Sequence, residues 1–368
     1  MEQEYMVRPR LKSVAWERDG DEVRVVYDLR DQFLLADPDG TVSTLLELLT
    51  EGGRTPAQLA AAITERGAPV PVRDVVDAVD LLDSHGLVED EDRLGRFDAE
   101  SSERYFSNLA FFEPFASMAR SHEDFQQTLR ESHVLVLGTG GLNSNTIPHL
   151  CGLGVGRLTL LDRDKVDTRN LARQYLYRFA DIGAPKVELA ADWVRAFDPS
   201  IGVKAVHGEV TSRRDVVDLI DQFAPDAVMS GVDSPIEVDE WVNAGCVSRG
   251  VPFVRGGMTV TMGSVWSVDP GKSACRACAY ELNEMPADEQ AAFRMYTGKP
   301  RINRGIGPIA GLLGALCAFE ILRFLTRFEP PAYAGKPMTL DFAAGCATRQ
   351  DEWQRSASCA VCGESTDR

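Results

Sequence analysis

Asp162, Asn170, Arg173, Gln174, Lys186 and Asp233 follow a glycine-rich turn, Gly138-Thr139-Gly140-Gly141, and together these residue types suit the handling of a nucleoside triphosphate. The apolar run Val134 to Leu137 enters the turn and a helical stretch leaves it, which is how a strand hands a phosphate to a helix N-terminus. A second buried strand, Leu158 to Leu161, ends in Asp162, where a carboxylate can bind ribose hydroxyls. Arg173 offers a bidentate fork and Lys186 a point charge, and two fixed cations beside a glycine turn suit a triphosphate better than a pyrophosphate. Solvated helix charges, the bland reading, do not explain Asn-Leu-Ala-Arg-Gln so soon after an acidic strand end. Asp233 follows the apolar run Ala227 to Met229 and faces the same crevice. Its oxygens could hold magnesium, which takes one or two carboxylates plus substrate phosphates, or it could cap the next helix. Asn143 stands in the third-glycine position of the turn and is expected to crowd helix against strand.

Cys275 and Cys278 form one CxxC pair, and Cys359 and Cys362 form another. Two such pairs let four thiolates close a tetrahedron around zinc, and a closed four-sulfur site is structural because catalytic zinc keeps an open position. Two disulfides or a redox pair are the alternatives. No signal peptide precedes the domain, so a cytoplasmic, reducing location is expected, which disfavours disulfides. Cys151 and Cys317 lie in apolar helical stretches and read as core residues.

The elements that must position these residues fit an α/β chain of two or three domains. With 368 residues the chain can bury a sizeable core. Its net charge of −17 argues against sequence-independent nucleic-acid binding, which needs a basic face. The longest apolar stretch, Ile306 to Phe319, is Gly-rich, and membrane spanning is not expected. At the N-terminus, Leu11 to Trp16, Glu22 to Tyr27 and Gln32 to Leu35 read as short strands with Asp-Gly turns. Three helical stretches follow, Thr41 to Thr50, one opened by Thr55-Pro56, and Val72 to His85. An acidic segment then leads to the larger domain.

On the motifs GTGGLNSN, LLDRDKVDTRNLARQ, GAPK, SGVDSP, NAGC, CRAC, GIGPIAGLLGALCAFEILR and CAVC, taken in this order, the chain resembles the ThiF/MoeB/HesA family from about Arg104 to Cys362. The resemblance implies a Rossmann-like doubly wound sheet and ATP-dependent adenylation of a carboxylate. Asp162 would hold the ribose, Asn170, Arg173 and Lys186 the phosphates, and Asp233 the magnesium. A homodimer is the family habit. The family places an arginine ahead of the first strand where this chain reads RYFSN, so Ser107 stands in its place, with Arg104 three residues away. The crossover segment Asn283 to Arg304 has no cysteine for a thioester relay, and 286–304 could form a lid.

Residues 1–90 resemble the PqqD-like, winged-helix-like α+β domains that hold leader peptides, with 91–103 as an acidic linker and 104–368 as the adenylating domain with its four-cysteine zinc site. Strand addition would supply main-chain hydrogen bonds to such a peptide. Asp77, Asp80 and Asp83 on the third helix disfavour DNA. The combined expectation is an adenylyltransferase acting on a ribosomally made precursor peptide, with ATP, magnesium and zinc, ahead of a further maturation enzyme. A sulfur-carrier activator and a non-catalytic leader-docking protein are the alternatives.

Overall fold

The computed structural model describes residues 6–27, 32–67, 69–282 and 305–363; the expected lid and crossover segment lies outside the described residues. The chain folds as two compact units that divide after Thr128.

In the first unit, β2 (Ala15–Asp19), β3 (Glu22–Val26) and β4 (Gln32–Ala36) form an antiparallel meander, Asp19 opposite Glu22 and Val26 opposite Gln32. Alternation puts Val23 and Val25 into the core and Glu22 and Arg24 outward. The expected strand Leu11 to Trp16 is broken in two. Its first part belongs to β1 (Pro9–Leu11), which pairs instead with β5 (Val88–Asp90), and β2 begins only at Ala15. Leu11 and Lys12 are both buried, which an alternating strand cannot provide. The Lys12 ammonium donates to the carbonyls of Gly86 and Ala116 at 2.7 and 2.6 Å, and burial pushes it down to about 8.

Helices Thr41–Glu51, Pro56–Arg66 and Val72–Ser84 occupy the expected places. The middle one opens with a reciprocal Thr55–Gln58 capping box and Pro56 in its first turn. Their apolar faces, including Leu49, Leu59 and Val79, share one core with Val23 and Val25. The unit also continues past the expected linker. The Glu123 carboxylate accepts the N–H groups of Gly95 and Arg96 at 3.0 and 2.7 Å, and Arg96 pairs with Asp124 at 3.0 Å. Residues 91–103 are therefore tied into a body that runs to Thr128.

The second unit is built on β6 (His133–Leu137), β7 (Arg157–Asp162), β8 (Gly202–His207), β9 (Ala227–Ser230), β10 (Phe253–Met258), β11 (Met262–Val268), β12 (Met338–Asp341) and β13 (Ala347–Gln350). They form one sheet in the order β13-β12-β11-β10-β9-β6-β7-β8. Strands β8, β7, β6, β9 and β10 run parallel, and β11 to β13 continue antiparallel, so the sheet is mixed. Every residue of β6 is buried, as expected of a strand covered on both faces. Leu135 and Leu137 pack with Val216, Ile220, Val238 and Val242 from the helices Arg213–Phe223 and Val238–Arg249. Helix Asn143–Leu153 packs against both Lys186–Phe197 and Gly307–Thr326, the first of which lies on β7 and β8 and the second on β9, β10 and β11.

The helix Gly307–Thr326 is long and apolar enough to cross a membrane, with a mean hydropathy of 1.8. It is a core helix here, packed on β10, β11 and the helix Asn143–Leu153. Glu320 on this helix is wholly buried and accepts hydrogen bonds from Ser267 Oγ and the N–H groups of Ala332 and Tyr333. The order reverses between β6, followed in the chain by neighbouring β7, and β9, followed by β10 on the other side. That reversal opens a crevice beyond the strands' C-terminal ends, the usual ligand position in such sheets.

Candidate active site and cysteine cluster

The crevice is a cleft of about 250 Å³ lined by all nine nucleotide-site residues expected from the sequence: Gly138, Gly140, Gly141, Asp162, Asn170, Arg173, Gln174, Lys186 and Asp233. Each arrives from the C-terminal end of a strand or the loop after it, except Lys186, which opens the helix Lys186–Phe197. Gly138 has φ +78, open to glycine at no steric cost, and a Cβ there would sit 3.0 Å from Val232 Cγ1. A Cβ on Gly141 would lie 3.0 Å from Arg173 Nε, so the glycine makes room for the arginine stem. At Gly140 the nearest atom would be Gln174 Nε2 at 3.9 Å. The protein itself leaves that position open toward the cleft.

Asp162 is 8% exposed and heavily engaged. Its Oδ2 accepts the Thr139 N–H at 2.7 Å and the Thr139 hydroxyl at 2.9 Å, while Oδ1 accepts the Asp164 N–H at 2.8 Å. The Tyr177 hydroxyl in turn lies 2.8 Å from both the Thr139 carbonyl and the Thr139 hydroxyl and shares its one proton between them. Sequence reading missed Thr139 and Tyr177 because they are 38 residues apart and meet only through the fold.

Asn170 closes a capping box in which its Oδ1 accepts the Asp167 N–H at 2.9 Å. That bond fixes the amide and turns its Nδ2 into the group left to meet a ligand. The side chain of half-buried Arg173 makes one hydrogen bond among the described residues, to the Arg169 carbonyl at 3.2 Å. Burial pulls its guanidinium below the usual range and Asp233 pulls it back; it stays a cation. Lys186 is 4% exposed, in the first turn of its helix, and donates to Asp164 Oδ2 at 3.0 Å, a partner the sequence did not suggest. Arg163 and Glu209 form an ion pair on the same lining. Gln174 is buried, and its Oε1 has no hydrogen-bond partner among the described residues.

Asp233 lies in the exposed loop after β9, and the helix that follows starts at Val238 with Glu237 as its N-cap. The capping alternative therefore fails, and the carboxylate is free of hydrogen bonds among the described residues. A hard cation takes such a carboxylate together with phosphate oxygens and water.

The expected crowding at Asn143 does not occur. Its Nδ2 donates to the carbonyls of Leu137 and Gly138 at 3.0 and 2.7 Å. The space comes from Gly231, where a Cβ would lie 2.6 Å from that same nitrogen. Gly231→Ala is expected to cost about 2 kcal/mol by overpacking. In an Asn143→Gly background the same change should cost less than about 0.5 kcal/mol, a coupling read from urea unfolding of the four proteins of the cycle. Equal costs in both backgrounds would mean the two residues do not compensate.

Cys275, Cys278, Cys359 and Cys362 bring their sulfurs within 4.8 Å of one another, the first three side chains buried. The Sγ separations are 4.0 Å for Cys275–Cys278, 3.7 Å for Cys275–Cys359 and 3.2 Å for Cys278–Cys362. Bond lengths of about 2.3 Å in a tetrahedron place sulfurs about 3.8 Å apart, whereas a disulfide needs about 2.05 Å, so the set fits zinc. Asn243 Nδ2 donates to Cys275 Sγ at 3.7 Å and its Oδ1 accepts the Arg276 N–H, holding the first pair in place. Cys151, Cys246 and Cys317 are fully buried core residues, and burial pushes the Cys317 thiol up to about 12. In the first unit, Arg104 lies over the Tyr105 ring at 4.9 Å and Ser107 is exposed.

The ThiF family model matches residues 115–361. Molybdopterin-synthase adenylyltransferase of Escherichia coli (strain K12) is 33% identical over 243 residues, covering 66% of this chain and 91% of that protein. The sulfur carrier protein ThiS adenylyltransferase of the same organism is 30% identical over 244 residues, covering 66% and 90%. Among solved structures, E. coli MccB with ATP has a similar fold, with a TM-score of 0.74 at 18% identity, over 97% of this chain and 100% of that one. The residues matched by the family include all those that line the cleft and three of the four clustered cysteines, and the named relatives set aside the non-catalytic reading: the chain belongs to the ThiF family and is an ATP-dependent adenylyltransferase of the ThiF and MoeB type.

Proposed function

We propose that the chain adenylates a ribosomally made precursor peptide, held through its first unit and activated in the cleft of the second. The observation that carries this reading is the extent of similarity. By sequence the sulfur-carrier relatives match 66% of the chain, which leaves out most of the first unit, and by fold MccB, whose solved forms include a complex with N-formylated MccA, covers 97% of it, the first unit included. The first unit also offers a place for an extended peptide. Strand β4 pairs only with β3 among the described residues, and its Leu34 is 55% exposed. An edge strand with unpaired backbone groups is a template for an added strand.

In the cleft, a substrate carboxylate oxygen would attack the α-phosphorus of ATP, forming the acyl–adenylate bond as the bond to pyrophosphate breaks. Asp162 would hold the ribose, Asn170 Nδ2, Arg173 and Lys186 the phosphates, and Gly140 would admit them close to the backbone. Asp233 would carry the magnesium ion, which neutralises charge spreading over the phosphate oxygens. The protein supplies position and charge rather than a nucleophile. Lys186 would exchange Asp164 for a phosphate oxygen, at little cost because the Asp164 side chain is 57% exposed and can return to water.

The test is to incubate the protein with MgATP and either a short precursor peptide sought among the neighbouring reading frames or a small carrier protein ending in Gly-Gly, and to follow pyrophosphate. Release with the peptide alone supports the proposal. Release with the carrier alone overturns it in favour of the sulfur-carrier reading, which the 33% identity to the molybdopterin-synthase enzyme favours.

A further inference from the structure

We propose that Thr139 and Tyr177 are positioning residues that make this cleft read a single ribose hydroxyl, by locking and partly saturating the Asp162 carboxylate. The inference deepens the assignment of Asp162 to the ribose and rests on it. An ionised carboxylate has about four acceptor positions. Three are already used: Oδ2 by the Thr139 N–H and hydroxyl, and Oδ1 by the Asp164 N–H. About one position remains, on Oδ1, so one of the two ribose hydroxyls can donate to Asp162.

The lock depends on the direction of the Thr139 hydroxyl. That group has one proton, and it serves Asp162 when its own oxygen accepts from elsewhere. The Tyr177 hydroxyl, 2.8 Å from both the Thr139 hydroxyl and the Thr139 carbonyl, supplies this contact with its one proton, shared between the two acceptors. The Tyr177 ring is 5% exposed, and burial pushes the phenol up, so it remains a donor throughout the working pH range. A chain of aligned hydroxyls ending on a carboxylate strengthens each member. Thr139 is wholly buried, so without Tyr177 its hydroxyl is free to turn back to its own chain. Asp162 would then regain an acceptor position and lose its fixed orientation.

Calorimetric titration of MgATP, Mg-2′-deoxyATP and Mg-3′-deoxyATP into the intact protein tests this without any peptide. For the wild type, one deoxy nucleotide should bind roughly tenfold more weakly than ATP and the other within about twofold. Tyr177→Phe and Thr139→Val should each shrink that gap between the two deoxy nucleotides to about twofold or less, with melting temperatures recorded alongside. Equal weakening of all three nucleotides, or an unchanged gap in both variants, overturns the proposal. Asp162→Asn separates the two levels of inference. If it leaves the gap intact, Asp162 does not read the ribose and the underlying assignment fails. If it removes the gap while Tyr177→Phe and Thr139→Val do not, only the lock fails.

Discussion

Arg173→Ala should lower kcat for acceptor-dependent pyrophosphate release about a thousandfold while moving the melting temperature by no more than about 2 °C. The size follows from the role: removing one preorganised donor from developing charge costs about a hundred- to a thousandfold, and arginines on transferring phosphoryl groups reach higher. The small stability cost follows from the structure. Among the described residues the Arg173 side chain makes one hydrogen bond, to the carbonyl of exposed Arg169, which water can satisfy in its place. Its stem fills the space over Gly141, so the substitution empties a part of the open cleft rather than of the core. Arg173→Lys keeps the charge but loses the fork, and should recover only part of the rate. Pyrophosphate release and differential scanning calorimetry on the same preparations decide the matter. An Arg173→Ala protein that keeps wild-type turnover would remove this arginine from the chemistry.

The features legible in the sequence are those encoded locally. Gly138 to Gly141 and Asp162 each sit beside the strand that positions them, so an apolar run followed by the right residue was enough. The two CxxC pairs are legible for another reason: within each pair the chain is too short to let the sulfurs separate, and the zinc geometry dictates the rest. What was not legible depends on partners brought together by the fold. Asn143 reads as a defect until Gly231, from the loop after β9, is seen opposite it. Lys186 reads as a free cation until Asp164 is found beside it, and Thr139 as turn filler until Tyr177 is. The break at Lys12 has the same origin, since its acceptors lie 74 and 104 residues away. The antiparallel extension β11 to β13 escaped because β12 and β13 are four-residue strands, and β13 is exposed along its whole length, too short and too polar to show a period.

Stripping metal from the cysteine cluster should lower the melting temperature by about 10 °C or more, and the untreated protein should carry one zinc per chain by elemental analysis. Cys275, Cys278 and Cys359 are buried members of the same apolar cluster as Phe253, Trp266 and Val268, with Trp353 and Cys362 packed against it. Apart from the metal, the tail that carries Cys359 and Cys362 is held mainly by Trp353, whose ring lies 5.4 Å from that of Trp266 and whose N–H donates to the Gly335 carbonyl, and by Arg355, which donates to the Gly271 carbonyl. Structural zinc in small domains contributes about 10 kcal/mol or more, but this sheet would survive in part without it. A loss of about 4 kcal/mol is a reasonable share, and a unit of this size shifts by about 2–4 °C for each kcal/mol. Cys359→Ser should reproduce the loss because it removes one ligand and leaves three thiols without their ion. Nucleotide binding offers the contrast: the cleft residues lie at the ends of β6, β7, β8 and β9, in the loops after them and in the first turn of the helix Lys186–Phe197, while the cysteines lie after β11 and at the tail. Below its melting temperature the chelated protein should therefore still bind MgATP within about threefold of the untreated protein. Loss of nucleotide binding at a temperature where the chelated protein remains folded would mean that the metal shapes the cleft as well as the tail.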